Sequence, residues 1–255
     1  MRTRSLCALS LATILGVTFA GGATASADAL QLDSTGTVIV TEGQITPEDP
    51  TPDPENPDKP LPDNPDIPVN PDSGSLIIQR VSNMDFGTIK TSGSAVTANA
   101  KPIEIAAGET RGAIVGWSDV RAGGTFGYTI TAELSQQFTG ATATNVLTGS
   151  TIDYSNGMVV TSTENTNVVP SNALTAFQLT ADGGAKTVVT ADKEKKEGKG
   201  TYVMEFGQSA KYEGTEGTAG TDGTAVKLTV PAATASNMAL DTYTAKVTWK
   251  VTAAA

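Results

Sequence analysis

The clearest pattern along the chain is a strict alternation of apolar and polar residues near its C-terminus. Between residues 243 and 252 the odd positions are apolar and the even positions are Thr or Lys. Successive side chains of a β-strand point to opposite faces, so the alternation predicts a half-buried antiparallel strand with one wet face. The pattern recurs earlier in the chain, where Tyr128, Ile130 and Ala132 alternate with Thr129, Thr131 and Glu133.

Short runs rich in Val, Ile, Thr and Tyr continue from residue 73 onward, separated by clusters of Gly, Asn, Asp, Ser and Thr. No stretch of the sequence shows the sustained 3.6-residue periodicity of an amphipathic helix. The pattern predicts an all-β fold, an antiparallel β-sandwich of the Greek-key or immunoglobulin-like type, over residues 73–255. The candidate strands are residues 76–81, 102–106, 113–117, 127–133, 152–160 (a hairpin across Ser155-Asn156-Gly157), 174–180, 186–190, 201–206, 225–230 and 243–252.

Residues 1–27 are predicted to be a secretory signal peptide. A basic start is followed by a mostly apolar run over residues 6–20 and by a small-residue cleavage site at residues 25–27. The apolar run is short for a bilayer span, so we expect a secreted protein that is not inserted in a membrane. Cys7, the single cysteine, would leave with this segment, so no disulfide or thiolate chemistry is expected in the mature chain.

The next two segments differ in composition from the rest. Residues 28–46 contain one strand-like run, residues 37–40, which cannot bury a face alone. Residues 47–72 hold ten of the 13 prolines and eight acidic residues against one base, Lys59. Such a segment has few apolar side chains and few backbone donors, so it predicts a stiff, extended, Pro-rich and Asp-rich tether.

Charge and composition restrict the possible functions. The formal net charge of −10 is concentrated in the tether, since residues 73–255 hold 16 acidic and 14 basic residues. This nearly neutral domain lacks the basic face that nucleic-acid binding needs. Histidine is absent, which removes the usual general base and zinc ligand, so we expect no enzyme, no metal site and no cofactor. A pair of carboxylates for glycoside hydrolysis stays open, because such residues can come from distant strands.

Three of the candidate binding residues, Trp117, Asp119 and Arg121, alternate along one segment. One interpretation is an ion pair beside an aromatic face, where Arg121 stacks or bridges; the other is an ordinary surface pair. Trp249 also allows two interpretations. It either packs in the core or stands in a groove and stacks on a wall sugar. Val251 shares its face, so both should be buried or exposed together.

Four segments, in this order, resemble the WxL-domain surface proteins of Gram-positive bacteria. They are the Gly-Thr-Val-Ile-Val run before the acidic tether, SGSLIIQRVSNMDFG at 73–87, WSDVRAGGTFGYTITAELSQQFTG at 117–140 and YTAKVTWKV at 243–251. Tyr128-Thr129-Ile130 occupies the place of the family's first Trp-x-Leu motif, and Trp249-Lys250-Val251 that of the second. Both keep an aromatic-x-aliphatic character.

The resemblance implies non-covalent attachment to the cell wall, with peptidoglycan as the ligand, through residues 73–255. It also implies surface complexes with other WxL proteins or with membrane-anchored partners. The sequence agrees in lacking an LPxTG-like sorting signal. The expected ligand-binding residues are Trp249, Val251, Tyr128, Ile130, Asp119, Arg121 and Trp117.

A second hypothesis is a structural or adhesin subunit of a surface complex. In this case the β domain would bind protein partners or host matrix, by strand addition at an exposed sheet edge. Residues 36–40 would then be the donated or docking strand.

Overall fold

Strands account for almost all regular structure in the computed structural model, which describes residues 33–254. The predicted all-β class is confirmed, and the antiparallel sheets are consistent with a sandwich. Residues 41–254 form one unit that holds every element. The elements are β1 (Pro52–Asp53), β2 (Asn56–Pro60), β3 (Leu76–Val81), β4 (Val96–Asn99), β5 (Ile103–Ala106), β6 (Glu109–Arg111), β7 (Ala113–Asp119), β8 (Tyr128–Gly140), β9 (Thr151–Tyr154), β10 (Gly157–Val160), β11 (Asn172–Ala173), β12 (Phe177–Thr180), β13 (Lys186–Ala191), β14 (Gly200–Phe206), β15 (Val226–Val230), α1 (Ala232–Ala235) and β16 (Tyr243–Ala253).

Three four-stranded antiparallel sheets carry the architecture. The β7 sheet has the order β10-β14-β7-β3, the β8 sheet β11-β13-β8-β16, and the β9 sheet β12-β9-β15-β4. The β1–β2 and β5–β6 pairs are separate two-stranded ribbons. Most sheet neighbours are far apart in sequence, so the fold depends on long-range pairing rather than on a series of hairpins.

One hydrophobic cluster joins the inner faces of the three sheets. It includes Trp117 from β7, Tyr128 from β8, Tyr154 from β9 and Phe206 from β14, all buried. The Tyr154 ring stacks on Phe177 with centroids 4.7 Å apart and meets Phe206 edge-on at 5.0 Å. Since a buried aromatic side chain removes a large apolar area from water, this cluster supplies much of the stability of the fold.

The C-terminal alternation predicts β16 well. The strand runs from Tyr243 to Ala253, and up to residue 252 its odd positions are partly buried while its even positions are exposed. The hairpin expected within residues 152–160 is wrong, because β9 pairs with β12 and β15 while β10 pairs with β14. The Ser155 amide donates to Ala225 O and the Gly157 amide to Thr175 O, so the turn leads from one sheet into another.

The predicted signal peptide, residues 1–27, lies outside the described residues. Residues 33–40 belong to a separate unit of the chain, and the strand-like run there forms no strand. Val38, Ile39 and Val40 are 84%, 86% and 82% exposed. Within residues 33–254 no helix is long and apolar enough to cross a membrane.

The Pro-rich segment differs from the extended tether expected for residues 47–72. Its β1 and β2 strands pair with each other, and the chain beyond them packs on the β domain. Leu61 and Ile67 are buried in a second hydrophobic cluster with Ile103, Ile114 and Val203. These two apolar side chains thus help to pack a segment whose average composition predicts extension.

A buried arginine fastens this segment to the domain. Arg111 donates from Nε and Nη2 to the two carboxylate oxygens of Asp53, both at 2.6 Å, and its Nη1 lies 3.4 Å from Glu55. All three side chains are buried. The Ser209 amide and hydroxyl donate to Glu55 from the opposite side. Since removal of one member of a buried ion pair leaves an uncompensated charge, these contacts hold the segment strongly in place.

Glu205 is the third carboxylate near Arg111 and is fully buried. Burial, together with the negative charge of Glu55, raises its pKa well above the ordinary value. Its Oε1 accepts from the Gly112 amide at 3.0 Å, whereas Oε2 has no hydrogen-bond partner among the described residues. A pKa that is raised in the folded state means that stability falls as pH rises from the unfolded pKa through the folded one.

We therefore predict that Glu205→Gln raises the thermal unfolding midpoint by a few degrees at pH 8 and changes it little at pH 4. Glutamine keeps an oxygen for the Gly112 amide and never ionises, so it removes only the cost of the buried charge. Circular dichroism melts of both proteins at the two pH values measure the difference. An equal shift at both pH values would show that ionisation of Glu205 contributes nothing.

Candidate functional site

The two aromatic-x-aliphatic segments lie side by side on neighbouring strands. β8 and β16 pair antiparallel, with Val251 opposite Ile130, Trp249 opposite Ala132 and Ala253 opposite Tyr128. Corresponding positions of the two segments are 121 residues apart in sequence, yet the segments form one continuous piece of sheet. Any site built from them is therefore a single surface, not two separate edges.

The inner side of this sheet belongs to the core. Tyr128 and Ile130 are fully buried, and Trp249 and Val251 are partly buried, as their shared face predicts. The Trp249 ring lies 6.1 Å from Tyr154, 6.2 Å from Phe177 and 6.3 Å from Phe206. These side chains fill the interior of the sandwich, which supports the core interpretation of Trp249.

Trp117 is also buried, and it supports the first motif from β7. Its Nε1 donates a hydrogen bond of 2.6 Å to the Tyr128 hydroxyl, and its ring stacks on Tyr202 with centroids 5.9 Å apart. Burial raises the pKa of Tyr128, so the phenol stays neutral. A buried hydroxyl needs a partner, and Trp117 provides it.

Asp119 and Arg121 form an interior network rather than a surface pair. The Asp119 carboxylate is fully buried and accepts from Arg121 Nε at 2.9 Å, from Arg121 Nη2 at 2.7 Å and from Lys199 Nζ at 2.9 Å. Burial disfavours the charged carboxylate, but the hydrogen bonds from Arg121 and Lys199 outweigh it and lower the pKa of Asp119. Arg121 and Lys199 also donate to the carbonyls of Gly127 and Arg121, so the network fixes the loop that leads into β8.

The outer side of β13, β8 and β16 carries hydroxyl and ammonium groups and one carboxylate, Glu133, which lies opposite Thr248; we call this surface the threonine face. Its side chains are partly or fully exposed and alternate with the core residues. The strand registers align them in two rows, and Lys246 and Thr248 extend the face along β16. One row is Thr190, Thr129 and Thr252, and the other is Thr187, Thr131 and Lys250.

The threonine face was only partly visible in the sequence. The alternation shows that one side of β16 is wet, but the three-strand alignment depends on registers between distant segments. Of the seven predicted binding residues, Trp117, Tyr128, Ile130 and Asp119 are buried, while Arg121, Trp249 and Val251 are partly accessible. Their ligand-binding role stays a prediction. Within residues 33–254 no group of three or more Asp or Glu side chains is arranged to hold a metal.

The structure is an all-β domain with an extended polar face on its β8 sheet. The chain matches the family described as WxL domain surface cell wall-binding over residues 27–254. Because the match covers nearly the whole chain, the protein belongs to this family, and the expected resemblance is confirmed. A cell wall-binding surface domain and an extracellular, cell-wall location follow from the family. No curated protein and no solved structure matches.

We predict that Asp119→Asn destabilises the fold by about 2–4 kcal/mol at pH 7, because Arg121 and Lys199 lose their buried counter-charge. The lowered pKa means that the carboxylate stabilises above the unfolded pKa and that this contribution is lost as pH falls through the folded pKa. Urea unfolding at pH 7 and pH 3 measures both effects. The penalty should shrink at pH 3, and the exposed control Asp182→Asn should stay near wild type.

Proposed function

We propose that the protein attaches non-covalently to peptidoglycan and that the threonine face makes the contact. Family membership supports wall binding, and the exposed polar side of the motif strands supports the choice of surface. The two motif strands turn their aromatic side chains into the core, so the outer side is the extended surface that both strands share. In this proposal the motifs shape the sheet, and the residues between them touch the wall.

The chemistry of the face suits a polar polymer. Neighbouring strands lie about 4.8 Å apart, so three strands present rows of hydroxyls roughly 10 Å wide. Threonine hydroxyls donate and accept hydrogen bonds, which matches the hydroxyl and acetamido groups of a glycan. Lys246 and Lys250 outnumber the one acid of the face, Glu133, and their positive charge suits the carboxylates of the peptide stems. Each contact is weak, and a flat face can make many of them along one strand of polymer.

The role proposed for Trp249 is indirect. Its ring packs on three aromatic side chains, so Trp249→Ala should lower wall retention by loosening the sheet. The same reasoning applies to Tyr128 and Ile130, which are fully buried. A direct stacking role for Trp249 would instead require loss of retention in a variant whose stability is unchanged.

Wall retention tests the face directly. We predict that the triple variant Thr129→Ala, Thr131→Ala, Lys250→Ala reduces retention of the mature chain, residues 28–255, by about tenfold on purified peptidoglycan. A loss of that size corresponds to about 1.4 kcal/mol. The measurement is co-sedimentation with sacculi stripped of teichoic acid, quantified over a range of protein concentrations.

A matched control comes from another sheet. Thr97→Ala, Thr229→Ala, Lys227→Ala removes two threonines and one lysine from the solvent side of paired strands β4 and β15. It should leave retention within about twofold of wild type. Equal losses in the two triple variants would show that the threonine face has no special role.

One observation favours a second function, binding of a protein partner. Residues 38–40 expose three consecutive β-branched side chains, and such a run has high β-propensity. We propose that this segment adds as a strand to a sheet edge of another surface protein. Deletion of residues 28–40, which spares the Ile45–Gly74 bridge of the folded unit, should abolish co-purification of a partner from the cell surface while wall retention persists. A partner that remains bound after the deletion would contradict this role.

A further inference from the structure

A groove of about 540 Å³ lies between the Pro-rich segment and β3, away from the motif strands. Arg80 lines it from β3, and the carboxylates of Glu48 and Asp63 line it from the Pro-rich segment. Pro47, Pro65 and Val69 are among its apolar walls. The groove thus combines one cation, two anions and small apolar surfaces.

Arg80 is a buried cation with incomplete pairing. Its side chain is only 6% exposed, yet its Nε and Nη1 have no hydrogen-bond partner among the described residues. Its single ion pair joins Nη2 to Asp63 at 3.1 Å, and the Asp63 side chain is 94% exposed. A buried guanidinium normally has its fork of donors satisfied, and a carboxylate surrounded by water is a weak partner.

The backbone explains why this side chain is placed here. The pairing of β3 with β7 shifts register between Ile78 and Arg80, and such a bulge changes the direction of a side chain. Arg80 also forms an isolated bridge with Val69, so the Pro-rich segment pairs directly beside it. Arg80 and the Pro-rich segment beside it are therefore held in a fixed part of the fold.

We propose that the groove binds the free end of a wall peptide stem, a short peptide with a terminal carboxylate and a nearby amine. This rests on the proposed function, since peptidoglycan supplies such peptides. The ligand carboxylate takes the place of Asp63 on Arg80 Nη2, the nitrogen that Asp63 contacts. The ligand ammonium faces Glu48, and the small side chains of the ligand lie against Pro65 and Val69.

The charges of the groove favour this class of ligand. One cation and two carboxylates repel a simple dianion but complement a molecule that carries both signs. In the unliganded protein the Asp63 carboxylate pairs with Arg80, so this buried cation is not left wholly unpaired. Asp63 therefore competes with the ligand carboxylate for Arg80. Competition also predicts that loss of the Asp63 carboxylate tightens ligand binding, which a purely structural ion pair would not do.

The test uses the mature chain and the tripeptide L-Lys-D-Ala-D-Ala, with binding measured by calorimetry and by amide chemical shifts. We predict that Asp63→Asn tightens binding about three- to tenfold, because the competitor for Arg80 is lost. Amidation of the tripeptide's C-terminus should weaken binding at least tenfold, and acetylation of the lysine side chain should weaken it several-fold. Arg80→Gln should abolish it.

Controls keep the outcome clear. Asp66→Asn makes the same charge change three residues away on an exposed side chain and should leave affinity unchanged. The comparison of the tripeptide acid with its amide uses the wild-type chain, so the test does not depend on whether Asp63→Asn or Arg80→Gln folds. If Asp63→Asn leaves affinity unchanged or lowers it, or if the amide binds as well as the acid, the proposal is overturned.

The two proposals fail in different ways. Wall retention that persists without any tripeptide binding would overturn the groove and leave the threonine face standing. Tripeptide binding that responds to Asp63→Asn, in a protein that sacculi do not retain, would support the groove and overturn the wall-binding face.

Discussion

The antiparallel pairing of β8 with β16 is the interaction on which the other features depend. It places Val251 opposite Ile130 and Trp249 opposite Ala132, so two distant segments share one inner and one outer side. If β16 shifted its register by one residue, its aromatic side chains would turn to solvent and its threonines into the core. Burial of the inner side therefore fixes the register, and the register in turn aligns the threonine face.

The alternation of polar and apolar residues made β8 and β16 predictable from sequence, but the buried contacts around them were not predictable. The polar and apolar positions of residues 243–252 predict both faces of β16, because side-chain direction follows from the two-residue period alone. The burial of Trp117 and Asp119 depends on partners that sequence does not reveal. Trp117 meets Tyr128 through a β7–β8 contact, and Lys199 reaches Asp119 across 80 residues of chain.

Average composition misled the prediction for residues 47–72. Ten prolines and eight acids predict an extended chain, and that argument treats all positions as equivalent. The structure depends on a few particular positions, since Asp53 meets Arg111 across 58 residues and Ile67 fills a second core cluster. The acids counted as part of a tether thus include the counter-charges of arginines in the β domain. The same long-range pairing explains why the strands on either side of Ser155 separate into two sheets.

The departures from the Trp-x-Leu pattern have a structural explanation. At the first motif a tyrosine replaces tryptophan, which brings a hydroxyl into a fully buried position. Trp117 donates a hydrogen bond of 2.6 Å to that hydroxyl, so burial of the hydroxyl costs little free energy. At the second motif valine replaces leucine at a partly buried position, and it keeps an aliphatic side chain on the inner face. In this chain both sites keep an aromatic and an aliphatic side chain on the inner face, and the residues between them face the outer side of the sheet.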